Sequence, residues 1–244
     1  MDTRFSHIQP KGSWEIPRKL YHYSVGFIVL ILFTYDYDPI SICPLLTAFL
    51  CLVLTGEWIR FHVDGFNVVY CKILGPLMRQ SEVSSKVNGV VYYITGCLIA
   101  IYLFPRDIAA LSILYLSWTD PTASICGRLW GKHTPRRGNK SLAGSLGAWM
   151  VGSVVTYLFY GTWQYYSKAI WTIYPTSYDA HAHQHDHPHH HTTLSLWLLS
   201  LYGGFVSAFS EFIGDVLGLD DNLVMPVVSA CLLWIPLVGL GSTR

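Results

Sequence analysis

The fold class is decided by residues 194–217, LSLWLLSLYGGFVSAFSEFIGDVL. This stretch is mainly apolar, and its only charged residues are Glu211 and Asp215, near its C-terminal end. A helix that crosses the hydrocarbon core of a bilayer needs about 20 mainly apolar residues. The stretch therefore predicts a membrane helix that carries two carboxylates close to one end.

The composition of the whole chain agrees with a membrane protein. Of its 244 residues, 52% are hydrophobic and 13% are charged, whereas a typical soluble domain has about 25% charged residues. So few charges argue against a disordered chain, a fibre or a water-soluble enzyme. The six cysteines are scattered without CxxC spacing, which predicts small buried hydrophobes, and no basic run with interleaved aromatics suggests nucleic acid.

Seven segments approach the length of a membrane helix, so we expect an all-α bundle of about seven transmembrane helices, with residues 1–244 as one domain. The segments are residues 20–35, 40–59, 87–104, 108–126, 142–163, 194–217 and 223–240. Another apolar run, residues 66–78, is only 13 residues long. It is expected to lie along the membrane interface, with an eighth span as the alternative.

The lysines and arginines predict the orientation of the bundle, because cytosolic loops carry most of them. With the N-terminus in the cytosol, 13 of the 16 fall on the cytosolic side, and only Arg106, Lys168 and Arg244 fall on the other. Residues 163–193 then form a non-cytosolic loop. Its tip, AHAHQHDHPHHH, is expected to be low-complexity, with metal binding as the alternative.

Four carboxylates stand within or at the edges of the predicted spans: Glu57, Asp120, Glu211 and Asp215. Each would cost about 2.5 to 3.5 kcal/mol if it faced lipid. The sum, roughly 10 kcal/mol, is comparable to the whole stability of a domain. Since all four lie toward the predicted cytosolic ends of their helices, we expect one wet pocket there, with pairing to cations or a metal ion.

Two pairs of these groups have helical spacing. Glu211 and Asp215 are four residues apart and share a helix face, which suits an oxygen-ligated cation such as Mg²⁺. Pairing of these acids with Arg60 or Arg18 of another helix is the alternative. Glu57 and Arg60 are three residues apart, and a local ion pair is the favoured interpretation.

Asp120 and Pro121 stand inside the fourth apolar segment. Proline is expected to break the helix there, and irregular backbone at membrane depth is tolerated only where it lines a cavity. The following residues, to position 145, combine glycines, which allow close backbone approach, with five cations. Ser141 or Gly144 is expected to begin the fifth helix and to aim its amides at an anion. The stretch thus predicts a polyphosphate site, with an anionic-lipid loop as the alternative.

Two further patterns are weaker signals. Arg18 and Lys19 open the first helix, where such cations often only anchor a helix at the membrane surface. Gly144, Ala148 and Gly152 recur every four residues, which predicts close packing between two helices.

The chain resembles the CTP-dependent lipid kinases that include fungal diacylglycerol kinase, dolichol kinase and phytol kinase. The matching blocks are residues 18–22 (RKLYH), 57–60 (EWIR), 88–92 (NGVVY), 120–124 (DPTAS), 127–128 (GR) and 140–145 (KSLAGS), then Glu211 and 221–222 (DN) before Pro226. They follow the family order along nearly the whole chain, and the fungal diacylglycerol kinases are resembled best. Ala143 stands where the family often has glutamate, so that role cannot be transferred.

The resemblance implies phosphoryl transfer from CTP to the hydroxyl of diacylglycerol, with Mg²⁺ or another divalent cation such as Ca²⁺. Asp120 is expected to hold the metal or to accept the hydroxyl proton, with Glu211 and Asp215 as further metal-side carboxylates. The phosphate contacts are expected from Arg18, Lys19, Arg128, Lys132 and Lys140, and the nucleotide-side backbone from Gly127, Ser141 and Gly144. An endoplasmic reticulum or nuclear-envelope enzyme with a cytosolic active site is the implied setting.

Three other functions remain open at this point. The same chemistry on dolichol, phytol or farnesol is the nearest alternative. A cytidylyltransferase that makes CDP-lipid is weaker, because its Lys-Arg…Lys-Asp…Pro-Gly-His-Gly-Gly signature is not found. A transporter is weaker still, because neither internal repeats nor charges spread through the membrane depth are seen.

Overall fold

The computed structural model describes residues 5, 8, 13–83, 86–163, 190–191, 195–239 and 242–243. Among them, five helical stretches are long and apolar enough to cross a membrane, and Gly89–Leu103 is a shorter apolar helix. The predicted all-α polytopic membrane fold is confirmed. Most of the predicted loop at 163–193, with its histidine-rich tip, lies outside the described residues.

Every predicted span coincides with helix. The helices are α1 (Ile16–Thr34), α2 (Pro39–His62), α3 (Asp64–Leu74), α4 (Gly89–Leu103), α5 (Arg106–Leu114), α6 (Asp120–Trp130), α7 (Leu142–Leu158), α8 (Leu196–Leu217) and α9 (Asp221–Trp234). The π-helical segments are Tyr115–Thr119, Phe159–Trp163 and Ile235–Gly239, and the 3₁₀ turns are Gly75–Leu77, Gln80–Glu82 and Gly131–His133. Two antiparallel ladders pair β1 (Arg136–Arg137) with β2 (Lys140–Ser141), and β3 (His190–His191) with β4 (Ser242–Thr243).

The expected helix break at Pro121 is wrong. Helix α5 continues through the π segment Tyr115–Thr119 directly into α6. A π turn shifts the backbone hydrogen bonds by one residue, and nearby hydroxyls satisfy carbonyls around it: Thr119 donates to the Tyr115 carbonyl at 2.7 Å and Thr122 to the Trp118 carbonyl at 2.6 Å. Pro121 is the second residue of α6, directly after the π segment, and the chain stays helical past Asp120.

The apolar run at residues 66–78 folds as α3 followed by the 3₁₀ turn Gly75–Leu77. An 11-residue helix is about 16 Å long, roughly half of the 30 Å hydrocarbon core. Its length therefore favours the interfacial interpretation over an eighth span.

The core of the bundle lies between α5, its π segment, α7, α8 and α9. Helix α7 packs against α8 over most of its length, α4 packs against α9, and the peripheral α2 packs against α4. Tyr115 and Phe159 are fully buried at the centre. Tyr115 also hydrogen-bonds Thr156 across to α7 at 2.5 Å.

Two residues of the predicted small-residue stripe, Ala148 and Gly152, lie at the contact between α7 and α8, whereas Gly144 faces α6. A methyl group added at Gly152 would overlap the Ser207 side chain and lie 3.2 Å from the Cα of Gly204. Ser207 donates to the Ala148 carbonyl at 2.9 Å across the same contact. The glycines therefore permit a backbone approach that no larger residue allows.

Replacing Gly152 by leucine should destabilise the bundle, because overpacking a fitted contact costs about 1 to 3 kcal/mol or more. We expect a lower thermal unfolding temperature for the purified Gly152→Leu protein in detergent. Met150→Leu is the matched control, since Met150 is on the same helix but is 63% exposed. Equal unfolding temperatures for the two variants would contradict the packing argument.

At the end of the bundle opposite to the predicted site, Arg106 joins the start of α5 to the end of α1. Arg106, at the start of α5, forms an ion pair with Asp36 after α1 and donates to the Phe33 carbonyl at 2.8 Å. The connections after α1 and after α4 therefore lie at the same end of the molecule. This arrangement agrees with the alternation of spans expected from the sequence.

Candidate active site

One large cavity opens where the N-terminal ends of α1, α6 and α9 and the C-terminal end of α8 meet. Its volume is about 1270 Å³. Its charged lining residues are Glu15, Arg18, Lys19, Arg79, Glu82, Lys86, Asp120, Arg128, Arg136, Lys140, Glu211, Asp215, Asp220 and Asp221. Acids and cations are thus equal in number, so the cavity is suited to hold an anion and a cation together.

A short hairpin carries Lys140 into this cavity. Strands β1 and β2 are joined by Gly138 and Asn139. Gly138 has a φ of 58°, a conformation that glycine adopts without strain. Asn139 fixes the turn, since its side-chain amide and its backbone N–H donate to the two Asp215 carboxylate oxygens at 3.1 and 3.3 Å.

Lys140 bridges two acids from different helices. Its ammonium lies 2.7 Å from Glu211 Oε1 on α8 and 2.8 Å from Asp221 Oδ2 at the start of α9. Burial alone would lower the pKa of Lys140, but the carboxylates of Asp221 and Glu211 outweigh it and hold that pKa above its usual range. The lysine is therefore a fixed positive charge at the floor of the cavity.

Glu15, directly before α1, lies close to three guanidinium groups. Its carboxylate lies 3.1 Å from Arg18, 3.7 Å from Arg79 and 3.9 Å from Arg128. Glu15 also has a φ of 48°, a left-handed conformation that costs a non-glycine residue about 1 to 3 kcal/mol and often occurs at functional sites. Three arginines around one acid leave an excess of positive charge, as polyphosphate binding requires.

Asp120 also lines the cavity, in the first turn of α6 directly after the π segment. His22, Lys140 and Arg18 line the same cavity. Asp120 and Lys140 therefore face the same space, and Glu211 adjoins both. Three of the four acids expected in one pocket, Asp120, Glu211 and Asp215, line this cavity. Glu57 does not line it, because it is engaged by Arg60.

The N-terminus of α7 does not offer free amides to an anion. Ser141 caps the helix and its hydroxyl accepts the Gly144 N–H at 3.2 Å. The Ala143 N–H donates to Thr134 at 3.2 Å and the Leu142 N–H to the Pro135 carbonyl at 3.0 Å. These three amides already have acceptors within the protein, which does not favour the expected role of this helix start in anion binding; that role stays a prediction.

The glycines of the same region serve packing between helices. A methyl group at Gly127 would lie 3.1 Å from the Ser141 hydroxyl, and one at Gly144 would lie 2.9 Å from the Ala123 carbonyl. They bring α6 and α7 together behind the cavity. Both still line its wall, as expected from the sequence.

The Glu57–Arg60 pair is buried and local, as the favoured interpretation predicts. Arg60 donates to both oxygens of Glu57 at 2.7 and 2.6 Å and also to the carbonyls of Glu82 and Lys86 at 2.8 and 2.9 Å. Glu57 accepts the N–H of Asn88, which caps α4, at 2.9 Å. Arg60 thus fixes the segment that carries Arg79 and Glu82, and burial raises the pKa of the Glu82 carboxyl.

Comparison with known proteins shows the family of the chain. The chain is 42% identical over 236 residues to CTP-dependent diacylglycerol kinase 1 of Schizosaccharomyces pombe, which covers 96% of this chain and 99% of that protein. The chain belongs to the CTP-dependent diacylglycerol kinase family. The protein of the same name from Saccharomyces cerevisiae is 39% identical over 218 residues, covering 88% of this chain and 71% of the relative.

A more distant relative of the kinase is the probable phytol kinase 3, chloroplastic, of Glycine max. It is 25% identical over 234 residues, covering 88% of this chain and 61% of the relative. No family model matches the chain, and no solved structure matches it.

Two of the residues expected in the site of the kinase differ from the expectation, one in its position and one in its contacts. Lys132 is in the 3₁₀ turn after α6 and is not among the residues that line the cavity. Asp215 lines the cavity, but its carboxylate is engaged by Asn139. The acid that faces Glu211 across Lys140 is Asp221 instead. No pairing of Glu211 with an arginine is found in the described part of the chain.

Some acids of the kinase could supply oxygen ligands to a divalent cation. In the described residues, no three His, Cys, Asp or Glu side chains form a ready metal cluster. Mg²⁺ is commonly held by one or two carboxylates together with substrate phosphates, which needs no such cluster. Glu211 Oε2 is buried without a hydrogen-bond partner, and Asp120 lines the same cavity. Their oxygen donors fit a cation of this kind.

The cavity is also lined by Glu15, Arg79 and Asp220, to which the sequence analysis gave no role in a site. Arg79 lies 3.7 Å from Glu15 and 4.0 Å from Asp220. Arg79 follows an apolar run and Asp220 precedes a helix, so each resembles an ordinary loop residue. Asp221 was part of a family block but received no role, although its position beside Asn222 at a helix start was a usable signal.

Proposed function

We propose that this kinase transfers the γ-phosphoryl group of CTP to the hydroxyl of diacylglycerol and yields phosphatidate and CDP. The observation that carries the proposal is the cavity in which Lys140, Asp120 and the arginines around Glu15 meet at one end of a membrane bundle. Both curated relatives bear the name of this activity. A cavity with a largely charged lining at one end of a bundle of apolar helices is accessible to a polar nucleotide and to a membrane alcohol.

Phosphoryl transfer depends mainly on positioning and on neutralising charge. We assign the phosphates of CTP to Arg18, Lys19, Arg128 and Lys140, whose side chains converge on the cavity. Arg79 joins this set, because it shares Glu15 with Arg18 and Arg128. Lys132 drops out of it.

The divalent cation is proposed as Mg²⁺, held by Asp120 and Glu211. When bound, it would neutralise charge on the transferring phosphoryl group. The acids around Lys140 otherwise oppose the entry of a triphosphate, so the cation and the nucleotide are expected to bind together. Asp221 replaces Asp215 as the acid proposed beside Glu211.

We place the kinase in the endoplasmic reticulum membrane or nuclear envelope, with the cavity facing the cytosol. The distribution of charge supports the orientation, because seven lysines and arginines line the cavity, whereas Arg106 lies at the other end of the bundle. The choice of membrane follows from the resemblance to the family. Cytosolic loops are enriched in these residues. CTP would then reach the cavity directly from the cytosol.

The direct test is an assay of the purified protein in mixed micelles with CTP labelled in its γ-phosphate. We expect labelled phosphatidate with diacylglycerol, release of CDP rather than pyrophosphate, and dependence on Mg²⁺. Dolichol, phytol and farnesol are offered in parallel, and ATP replaces CTP in a further arm. Label transfer to one of these alcohols but not to diacylglycerol would shift the assignment to a polyprenol kinase, and release of pyrophosphate would indicate a cytidylyltransferase.

Two lysines of the same region give a paired prediction. Lys19 lines the cavity and Lys132 does not, although the sequence suggested both. We expect Lys19→Ala to lower kcat/KM for CTP by roughly 10²-fold, the usual effect of removing one charge-stabilising donor. Lys132→Ala should stay within about threefold of the wild type. Equal losses in the two variants would remove α1 from the phosphate site.

A further inference from the structure

A second, much smaller pocket adjoins the large cavity. Its volume is about 20 Å³, which is room for about one water molecule or one hydroxyl-bearing group. Its apolar walls are formed by Tyr21, Leu77, Val90 and Tyr93. It lies between the start of α1, the start of α4 and the start of α9.

Two buried polar atoms that line this pocket have no partner. His22 Nδ1 and Asn222 Oδ1 make no hydrogen bond, although their side chains are only 4% and 2% exposed. An unpartnered buried polar atom is destabilising, because it has lost its contact with water without gaining another hydrogen bond. Two such atoms in one small pocket indicate that a polar group of a ligand supplies their missing hydrogen bonds.

The pocket communicates with the nucleotide cavity. Arg18, His22 and Glu82 line both spaces. His22 is one helical turn from Arg18, so both project from the same face of α1. A group held at His22 therefore lies beside Arg18, and Asp120 lines the same large cavity as His22.

We propose that this small pocket, which we call the hydroxyl pocket, receives the free hydroxyl of the lipid acceptor, with His22 Nδ1 and Asn222 Oδ1 as its hydrogen-bonding groups. The inference rests on the proposed function and names the acceptor subsite within it. The apolar walls favour the lipid over CTP, because the hydroxyl end of diacylglycerol brings hydrocarbon with it. The His22 ring is itself held edge-on against Tyr93, with the ring centres 5.3 Å apart, so its position is fixed before the lipid binds.

The hydroxyl pocket predicts a split between the two substrates. His22→Phe keeps an aromatic ring against Tyr93 but removes the nitrogen. We expect the KM for diacylglycerol, as mole fraction in mixed micelles, to rise about tenfold, since loss of one hydrogen bond is worth about 1.4 kcal/mol. The KM for CTP should change less than twofold. His22→Asn restores a polar atom near the Nδ1 position and should recover part of the loss.

The outcomes of this experiment are distinct. An unchanged lipid KM in His22→Phe would mean that the pocket holds a water molecule only, and a raised KM for CTP would assign it to a ribose hydroxyl; either result overturns the inference while the kinase activity stands. Absence of CTP-dependent phosphatidate from the wild-type protein would instead overturn the proposed function. Thermal unfolding in detergent, measured for both variants, separates loss of binding from loss of fold.

Discussion

Asp120→Asn is expected to abolish CTP-dependent phosphatidate formation, with a loss of about 10³-fold or more. The substitution preserves shape but removes the charge that would hold the cation or accept the hydroxyl proton. Asp120 follows a π segment whose hydroxyls satisfy the neighbouring carbonyls, so the backbone should be unaffected. The measurement is the rate of phosphatidate formation by purified protein at saturating CTP.

Asp107→Asn is the matched control for this variant. Asp107 is also a buried aspartate near a helix start, but at the other end of the same continuous helix, where it accepts a hydrogen bond from Tyr160 at 3.3 Å. It should retain most of the activity. Near-normal turnover of Asp120→Asn would remove Asp120 from the reaction.

Lys140→Met should have the second-largest effect, because it acts on stability as well as activity. It leaves the buried Glu211 and the partly buried Asp221 without their shared cation. Removing one partner from a buried ion pair typically costs about 3 to 5 kcal/mol. We expect a lower unfolding temperature and a loss of phosphatidate formation together.

A double variant separates the two effects of Lys140. Lys140→Met combined with Glu211→Gln removes one of the stranded charges, so the unfolding temperature should recover in part while activity stays lost. Lys132→Met, outside the cavity lining, is the control for replacing a loop lysine. A Lys140→Met protein that unfolds at the wild-type temperature would contradict the three-charge arrangement.

Much of this site could be predicted from the sequence because membrane burial makes charge costly. Asp120 and Glu211 stand out only because they interrupt apolar segments, and the cost of exposing them to lipid requires a shared polar space. The spacing of Glu211 and Asp215 predicted that both acids act together, but in the structure Asn139 engages Asp215 and Lys140 engages Glu211. A shared helix face brings two side chains to one side of the helix, but the hairpin turn at Asn139 lies beside the outer one and engages it.

The remainder depended on contacts between distant parts of the chain. The choice between Lys140 and Lys132 is made by the two-residue turn at Gly138, which directs one lysine inward. The pairing of Glu15 with Arg79 joins α1 to a loop more than sixty residues away. Pro121 did not predict the π segment before Asp120 either. Proline is compatible both with a helix break and with the first turn of a helix.

The most direct test is a structure of the kinase in detergent or lipid with a non-hydrolysable CTP analogue and Mg²⁺. We expect the triphosphate in the large cavity, in contact with Lys140 and Arg18, and the cation between the phosphates and Asp120. A triphosphate bound outside this cavity, or at the opposite end of the bundle beside Arg106, would contradict a single active site built from these acids and cations.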